Sequence, residues 1–565
     1  MRLISRCVLT ASLLAATAIP AVAQTTQRPR LVVVLSVDQF RGDLLWRFAD
    51  LYDAKGFRRL LRGGRVYPNC YYRSANTETG PGHATMLTGS YANRNGIVGN
   101  NWFDAAEQAQ VYCVGDPKAR FVTSAGVADE AAASPVLKAA GLAAQTAASP
   151  HRLLSDTVGD QLEVATRGEA QTVSISIKDR AAVLMAGHSA DTVIWFSPSV
   201  GEFVSSTFYG NELPRWVRDL NSRRPADQYF KKAWEPLLAA ENYTSRCQPD
   251  DHPGEDTGAF STNTFPHVWG EKSERMDKAY YESVAASPAS NTLVIDAAIA
   301  AMRDAKLGKD AVTDLLTLSF SANDTVGHAF GPDSWEVMDI TLRTDREMTR
   351  LFTALDEEVG FGNWTFFITA DHGIPSLPEV LSERRIDAGR VDRKEFTGRL
   401  DAALMADLGT AAGGGGFIQY ALPQWISLKL ASNGQDASEA AVKLLRKEPV
   451  VAFAMTAEEV QRWPSGDPVV DSLKLSAYTG RTGQVAFALK PNYFFSYGSK
   501  GTTHGSLNRY DQWVVMAAMG RGIEGGTTSE RVEPPQIAAT VSTLLGVVPP
   551  ANCEAEALPD ALSFR

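Results

Sequence analysis

The sequence predicts an α/β fold: a doubly wound, mostly parallel sheet flanked by helices and carrying large cap-type insertions. Two patterns predict it. Short apolar runs rich in β-branched and aromatic residues recur at 31–37 (LVVVLSV), 315–320 (LLTLSF) and 364–369 (WTFFIT), as buried parallel strands do. Between the last two, residues 334–358 place Val337, Ile340, Leu342, Leu351 and Leu355 at helical spacing, and 291–303 predicts a helix before the second run. Strands alternating with helices imply a parallel sheet.

Each predicted strand ends on an acid. Asp38 follows the first, Asn323-Asp324 the second, and Ala370-Asp371-His372 the third. Ligands of open α/β sheets bind outside the carboxyl ends of the strands, so the three acids are expected at one edge. Taken singly, each reads more readily as a turn or helix-cap aspartate.

The rest of the chain is organised around this core. Residues 513–519 (WVVMAAM) predict a further strand, and 534–545 a closing helix stopped by Gly546 and Pro549-Pro550. Insertions are expected at about 190–290, rich in aromatics, Pro and Asn, and at about 380–495, around the Gly413–Gly416 run. The rest of 28–565 is expected to form the α/β domain.

Residues 1–23 predict a signal peptide. Arg2 and Arg6 form a basic start, Cys7–Ala16 is mostly apolar, and Ala21-Val22-Ala23 fits a cleavage site. The mature chain is expected to be periplasmic or secreted, with no membrane association after cleavage. Loss of Cys7 leaves Cys70, Cys113, Cys247 and Cys553, none at C-x-x-C spacing; disulfides, in three possible pairings, and inert thiols are both open.

A net charge of −10, from 55 basic and 65 acidic residues, argues against nucleic acid as a dedicated partner. It leaves room for a small phosphorylated substrate met by a local cationic site.

Asp324 and His328 stand four apart, able to bring a carboxylate and an imidazole to one cation. Asp371-His372 is an adjacent pair after a strand, and His504 lies in the glycine-bounded loop Gly501–Gly505. With Asp38 these make three carboxylates and three of the chain's eight histidines, a mixed O/N set suited to two zinc sites. Acidic residues Asp250, Asp251, Glu255 and Asp256 could hold calcium, but they form no clear motif and a solvated loop is expected.

In the segment 76–89 (NTETGPGHATMLTG), Thr79 precedes a Gly-Pro that opens a predicted helix. A helix N-terminus favours phosphate. A hydroxyl there, bound to zinc, would lose its proton near neutral pH. Thr79 also reads as a simple N-cap, and Thr77 and Thr85 are rival hydroxyls. Lys178 and Arg180 stand two apart on a predicted strand (VSISIKDR), facing one side.

Several ordered motifs together carry a resemblance: VDQFRGD, ETGPGHATMLTG, GIVGNNWFD, Lys178-x-Arg180, Asp324-x-x-x-His328, Asp371-His372-Gly373 and Thr503-His504-Gly505-Ser506. Across nearly the whole mature chain the sequence resembles the alkaline phosphatase superfamily, and within it the PafA-type enzymes that use threonine. The resemblance implies Thr79 as nucleophile, with one zinc held by Asp38, Asp371, His372 and the Thr79 oxygen and the other by Asp324, His328 and His504. It implies substrate contacts from Asn100, with Asn101 the alternative, and from Lys178 and Arg180. The implied reaction is monoester hydrolysis through a phosphothreonine. A phosphodiesterase of the same superfamily and a non-catalytic phosphate or metal binder are the alternatives. The oligomeric state is open, with a monomer favoured.

Overall fold

The computed structural model describes residues 28–128, 147–496 and 498–563; the predicted signal peptide lies outside them. An eleven-stranded sheet runs through the molecule. Its strands are β1 (Leu31–Val37), β2 (Arg65–Val66), β3 (Phe121–Thr123), β4 (Gly126–Ala128), β5 (Thr172–Ser176), β6 (Thr192–Ser197), β7 (Glu202–Ser206), β8 (Asp314–Phe320), β9 (Trp364–Thr369), β10 (Met516–Gly520) and β11 (Gly526–Thr527). Their order is β11-β2-β10-β9-β1-β8-β5-β6-β7-β3-β4.

The five central strands, β9-β1-β8-β5-β6, are parallel, and antiparallel pairs flank them on both sides. Every residue of β1 is buried. That is the reason its sequence is a continuous apolar run: helices cover both faces of a parallel sheet, so neither set of alternate side chains meets water.

Register places the acids. Val37 pairs with Phe320, and Ser36 pairs with both Ser319 and Thr369. The residues that follow, Asp38, Asp324 and Asp371, therefore leave the sheet at one edge. Ser176 pairs with Ser319, so Lys178 emerges there too. Strand β10 is antiparallel to β9 and starts at Met516, opposite Thr369. The loop before it, which carries His504, consequently arrives at that same edge.

Several helices complete the framework: α1 (Thr79–Thr88), α2 (Asp179–Ala186), α3 (Pro288–Asp304), α4 (Ala322–Phe330), α5 (Trp335–Ala354) and α6 (Gln536–Leu545). Helix α1 is buried at all ten positions and packs against α2 and α6. It ends on Gly89 at φ +69°, a left-handed cap that glycine adopts without a Cβ penalty.

Four expectations need correction. Lys178 and Arg180 are not on a strand: β5 ends at Ser176, Lys178 caps α2, and Arg180 lies in its first turn. The stretch from about 190 begins inside the sheet, since β6 and β7 continue it. The apolar run 513–519 breaks after Val514; Trp513–Val514 pairs with Cys70–Tyr71, and only Met516 onward enters the main sheet. Glu255 is buried rather than solvated, accepting hydrogen bonds from Gln248 Nε2 at 2.5 Å and His252 N at 3.3 Å.

Residues 389–496 build a separate small layer. It has a four-stranded sheet from Ile418–Ala421, Trp425–Leu428, Val451–Thr456 and Val485–Leu489, helices at Arg393–Leu408 and Ser438–Leu445, and its own apolar core. Among the described residues Cys70, Cys113, Cys247 and Cys553 are free thiols, with Cys70 and Cys113 buried. No single helix among the described residues is long and apolar enough to cross a membrane.

Candidate active site

Ten residues singled out from the sequence converge at the carboxyl edge of the sheet. Asp38, Asp371 and His372 are fully buried. His372 Nε2 lies 3.4 Å from Asp38 Oδ1 and 3.5 Å from Asp371 Oδ2. Beside them, Asp324 Oδ1 lies 3.1 Å from His328 Nε2 and 3.5 Å from His504 Nε2. The two groups adjoin, for the His372 and His504 rings stack with centroids 3.5 Å apart.

All three imidazoles are oriented alike. Nδ1 of His328 meets Thr502 O at 2.8 Å, that of His372 meets Gly373 O at 3.0 Å, and that of His504 meets Thr77 O at 2.6 Å. A proton held on Nδ1 by a carbonyl leaves the Nε2 lone pair for a cation, the usual way a metal-ligating histidine is fixed. Burial, reinforced by His372 and His328, pushes His504 well below the ordinary imidazole range, so its ring is neutral and ready to ligate.

The site fits metal ions. Asp38 Oδ1, Asp371 Oδ2 and His372 Nε2 are buried with no hydrogen-bond partner, and buried polar atoms are rarely left so without a reason. Burial and the neighbouring carboxylates of Asp324 and Asp371 drive Asp38 well above the ordinary carboxylate range. That crowding of negative charge calls for cations. Among the described residues, the donor atoms of Asp324, His328 and His504 cluster within 4.8 Å, as do those of Asp38, Asp324 and His372. Asp250, Asp251, Glu255 and Asp256 belong to no such grouping.

Thr79 opens α1, after Glu78 at its N-cap. Its Oγ accepts from Arg180 Nη2 at 3.3 Å. The rival hydroxyls are committed elsewhere: Thr77 donates to Ser506 O and Thr85 to Pro81 O, both at 2.8 Å. Asn100, not Asn101, touches the helix start, its Oδ1 accepting the Gly80 N–H at 2.8 Å. Lys178 and Arg180 take different partners. Lys178 Nζ donates to Asp38 Oδ2 and Asp324 Oδ2, both at 2.6 Å, whereas Arg180 spans Thr79 and the Tyr112 hydroxyl.

Sequence reasoning missed the residues that hold this constellation. Gln39, in the left-handed region at φ +65°, donates its N–H to Asp371 Oδ1 at 3.1 Å and its Nε2 to Asp324 Oδ1 at 2.6 Å. It thereby ties one ligand group to the other. His83 Nδ1 lies 2.9 Å from Thr79 O and 3.3 Å from Asp371 Oδ2, and its Nε2 meets Ser319 Oγ at 2.9 Å. Glu78 accepts the Asn100 N–H at 2.8 Å. His83 stands four after Thr79 on a helix, a spacing that could have flagged it. Gln39 carried no signal, because its role depends on a backbone angle.

Comparison with known proteins agrees with this geometry. The family described as type I phosphodiesterase / nucleotide pyrophosphatase matches residues 32–512. Alkaline phosphatase PafA of Elizabethkingia meningoseptica is 33% identical over 95% of both chains. Alkaline phosphatase PhoV of Synechococcus elongatus is 32% identical over 95% of this chain and 94% of its own. The crystal structure of wild-type PafA superposes with a TM-score of 0.87, covering 95% of this chain and 99% of that one. The chain therefore belongs to the alkaline phosphatase superfamily and, within it, to the PafA-type alkaline phosphatases, metal-dependent hydrolases of phosphate esters.

Proposed function

We propose that the protein is an exported phosphate monoesterase that works through a covalent phosphothreonine on Thr79. The observation carrying this is a hydroxyl at a buried helix N-terminus, contacted by a guanidinium and free of the backbone bonds that engage Thr77 and Thr85.

Asp38, Asp371, His372 and Thr79 Oγ would hold one zinc ion, and Asp324, His328 and His504 the other. Two such ions would supply positive charge for both the attacking and the leaving oxygen of an in-line displacement. The chain's own residues do the rest. The Thr79 hydroxyl gives up its proton and its oxygen attacks phosphorus. The P–O bond to the alcohol breaks as the bond to Oγ forms, and the departing alcohol takes up a proton. Water then hydrolyses the phosphothreonine and restores the hydroxyl. Splitting the displacement in two lowers each barrier.

Arg180 and the Asn100 amide bracket the non-bridging oxygens, and Lys178 adds a positive charge beside Asp38 and Asp324. A dianionic monoester gains more from these cations than a diester does. Export rests on the basic, apolar and small-residue pattern of residues 1–23. The enzyme is read as a monomer acting on small phosphorylated molecules.

The test compares an aryl phosphate, its diester and its sulfate, using wild type and Thr79→Ala, before and after chelation. A strong monoester preference, lost with the chelator and with the substitution, is the expected result. A diester preference would favour a phosphodiesterase, the activity named by the matched family, and no turnover would favour a binder. Lys178→Ala or Arg180→Ala should narrow the gap between monoester and diester rates; an unchanged ratio would remove them from the substrate.

A further inference from the structure

A cavity of about 250 Å³ opens beside the site. One wall belongs to the reaction centre: Glu78, Asn100, Thr503 and His504. The other comes from the 389–496 layer: Arg393, Tyr420, Tyr493 and Phe495. The layer is tied to the site directly, since Gln424 Nε2 donates to the carbonyl of Gly505, the residue after His504. Gly505 holds φ +110°, and a Cβ there would stand 3.1 Å from Pro423 Cγ. That positive φ favours glycine, and a side chain there would also press on the layer at Pro423.

In-line displacement fixes what enters this space. Thr79 stands on the helix that packs on Asp371, where a Cβ on Gly82 would collide with the Asp371 side chain and backbone. The leaving oxygen lies opposite the nucleophile, toward the group that contains His504. The alcohol part of the ester would then continue past His504, which lines the cavity. There the Arg393 guanidinium lies 5.7 Å from the centre of the Tyr420 ring, a cation–π pair. Tyr493 and Phe495 add further rings, and Asn508 and Gln424 offer polar edges. The lining is otherwise mostly polar, so these rings are the surfaces on which a planar group can stack.

We infer that the cavity between His504 and the Arg393–Tyr420 pair is a leaving-group subsite for planar aromatic alcohols. This rests on the monoesterase reading above. It makes the 389–496 layer a specificity element, not only a cover.

The test uses benzyl phosphate against cyclohexylmethyl phosphate, which share a primary-alcohol leaving group and differ in the flatness of the ring. Wild type should favour benzyl phosphate in kcat/KM by on the order of tenfold. Tyr420→Ala should bring that ratio toward one, chiefly through a higher KM for benzyl phosphate. Tyr420→Leu, which keeps apolar bulk, should do the same and covers the case in which the alanine variant folds poorly. A wild-type ratio near one, or a ratio unmoved by both substitutions, overturns the subsite while leaving the monoesterase reading intact. Failure to hydrolyse either ester overturns both.

Discussion

Gly327→Ala is a small substitution with a specific expected consequence. Gly327 lies in α4, one residue before His328, and a Cβ there would overlap the side-chain oxygen of Gln39. The clash is with the end of a flexible side chain, so the backbone need not move; the Gln39 amide swings away and loses its 2.6 Å bond to Asp324 Oδ1. A hydrogen bond to a charged acceptor contributes about 1.5–3 kcal/mol. Losing an outer partner of a ligand typically weakens metal binding by about 10–100-fold. Against this, alanine is the better helix residue by about 1 kcal/mol. The two effects separate: fold stability should stay close to wild type while zinc affinity at the Asp324, His328 and His504 group falls at least tenfold. Thermal melting of the chelated protein reads the first quantity and zinc competition titration the second. Unchanged zinc affinity, or a large loss of melting temperature with affinity intact, would refute the reasoning. Gln39→Gly offers a complement, since it relieves a left-handed φ worth about 1–2 kcal/mol yet should lose the same affinity.

Further outcomes follow from the same geometry. Chelation should lower the melting temperature, because Asp38, Asp324 and Asp371 then face one another without added cations; zinc should restore it. His83→Phe should lower kcat more than KM, since it releases Thr79 O, removes the ring nitrogen 3.3 Å from Asp371 Oδ2 and strands the buried Ser319 hydroxyl; an unaltered kcat would remove His83 from the positioning of Thr79. Glu255→Gln should flatten the pH dependence of stability. Burial raises the Glu255 carboxyl to about 8, so the folded state holds a proton that the unfolded chain loses near its ordinary value of 4.5. Its contribution is present in full below that value and is lost as pH rises through about 8. Melting curves at about pH 5 and about pH 8 should therefore differ less in the variant, and an equal difference would place the effect elsewhere.

The sequence reading and the structure part company at identifiable places. The core strands were legible because a strand buried on both faces must be apolar throughout, and the acids after Val37, Phe320 and Thr369 followed from where such strands end. Lys178 and Arg180 were misplaced because alternation in VSISIKDR continues past Ser176, whereas the chain turns into a helix there. Nothing in local periodicity marks that turn.

What the sequence determined by itself was the supply of chemistry: three acids, three scarce histidines, a threonine before Gly-Pro, and strands that must lie parallel. These are local properties of composition and spacing. What only the tertiary structure decided was relative position. The direction of β10 brings His504 to the edge where the parallel strands end, and a positive φ at Gln39 joins Asp324 to Asp371. The 389–496 layer supplies the far wall of the cavity beside His504. Such relations depend on the path of the chain through space, and residues hundreds of positions apart carry no mark of one another until the sheet has set their distance.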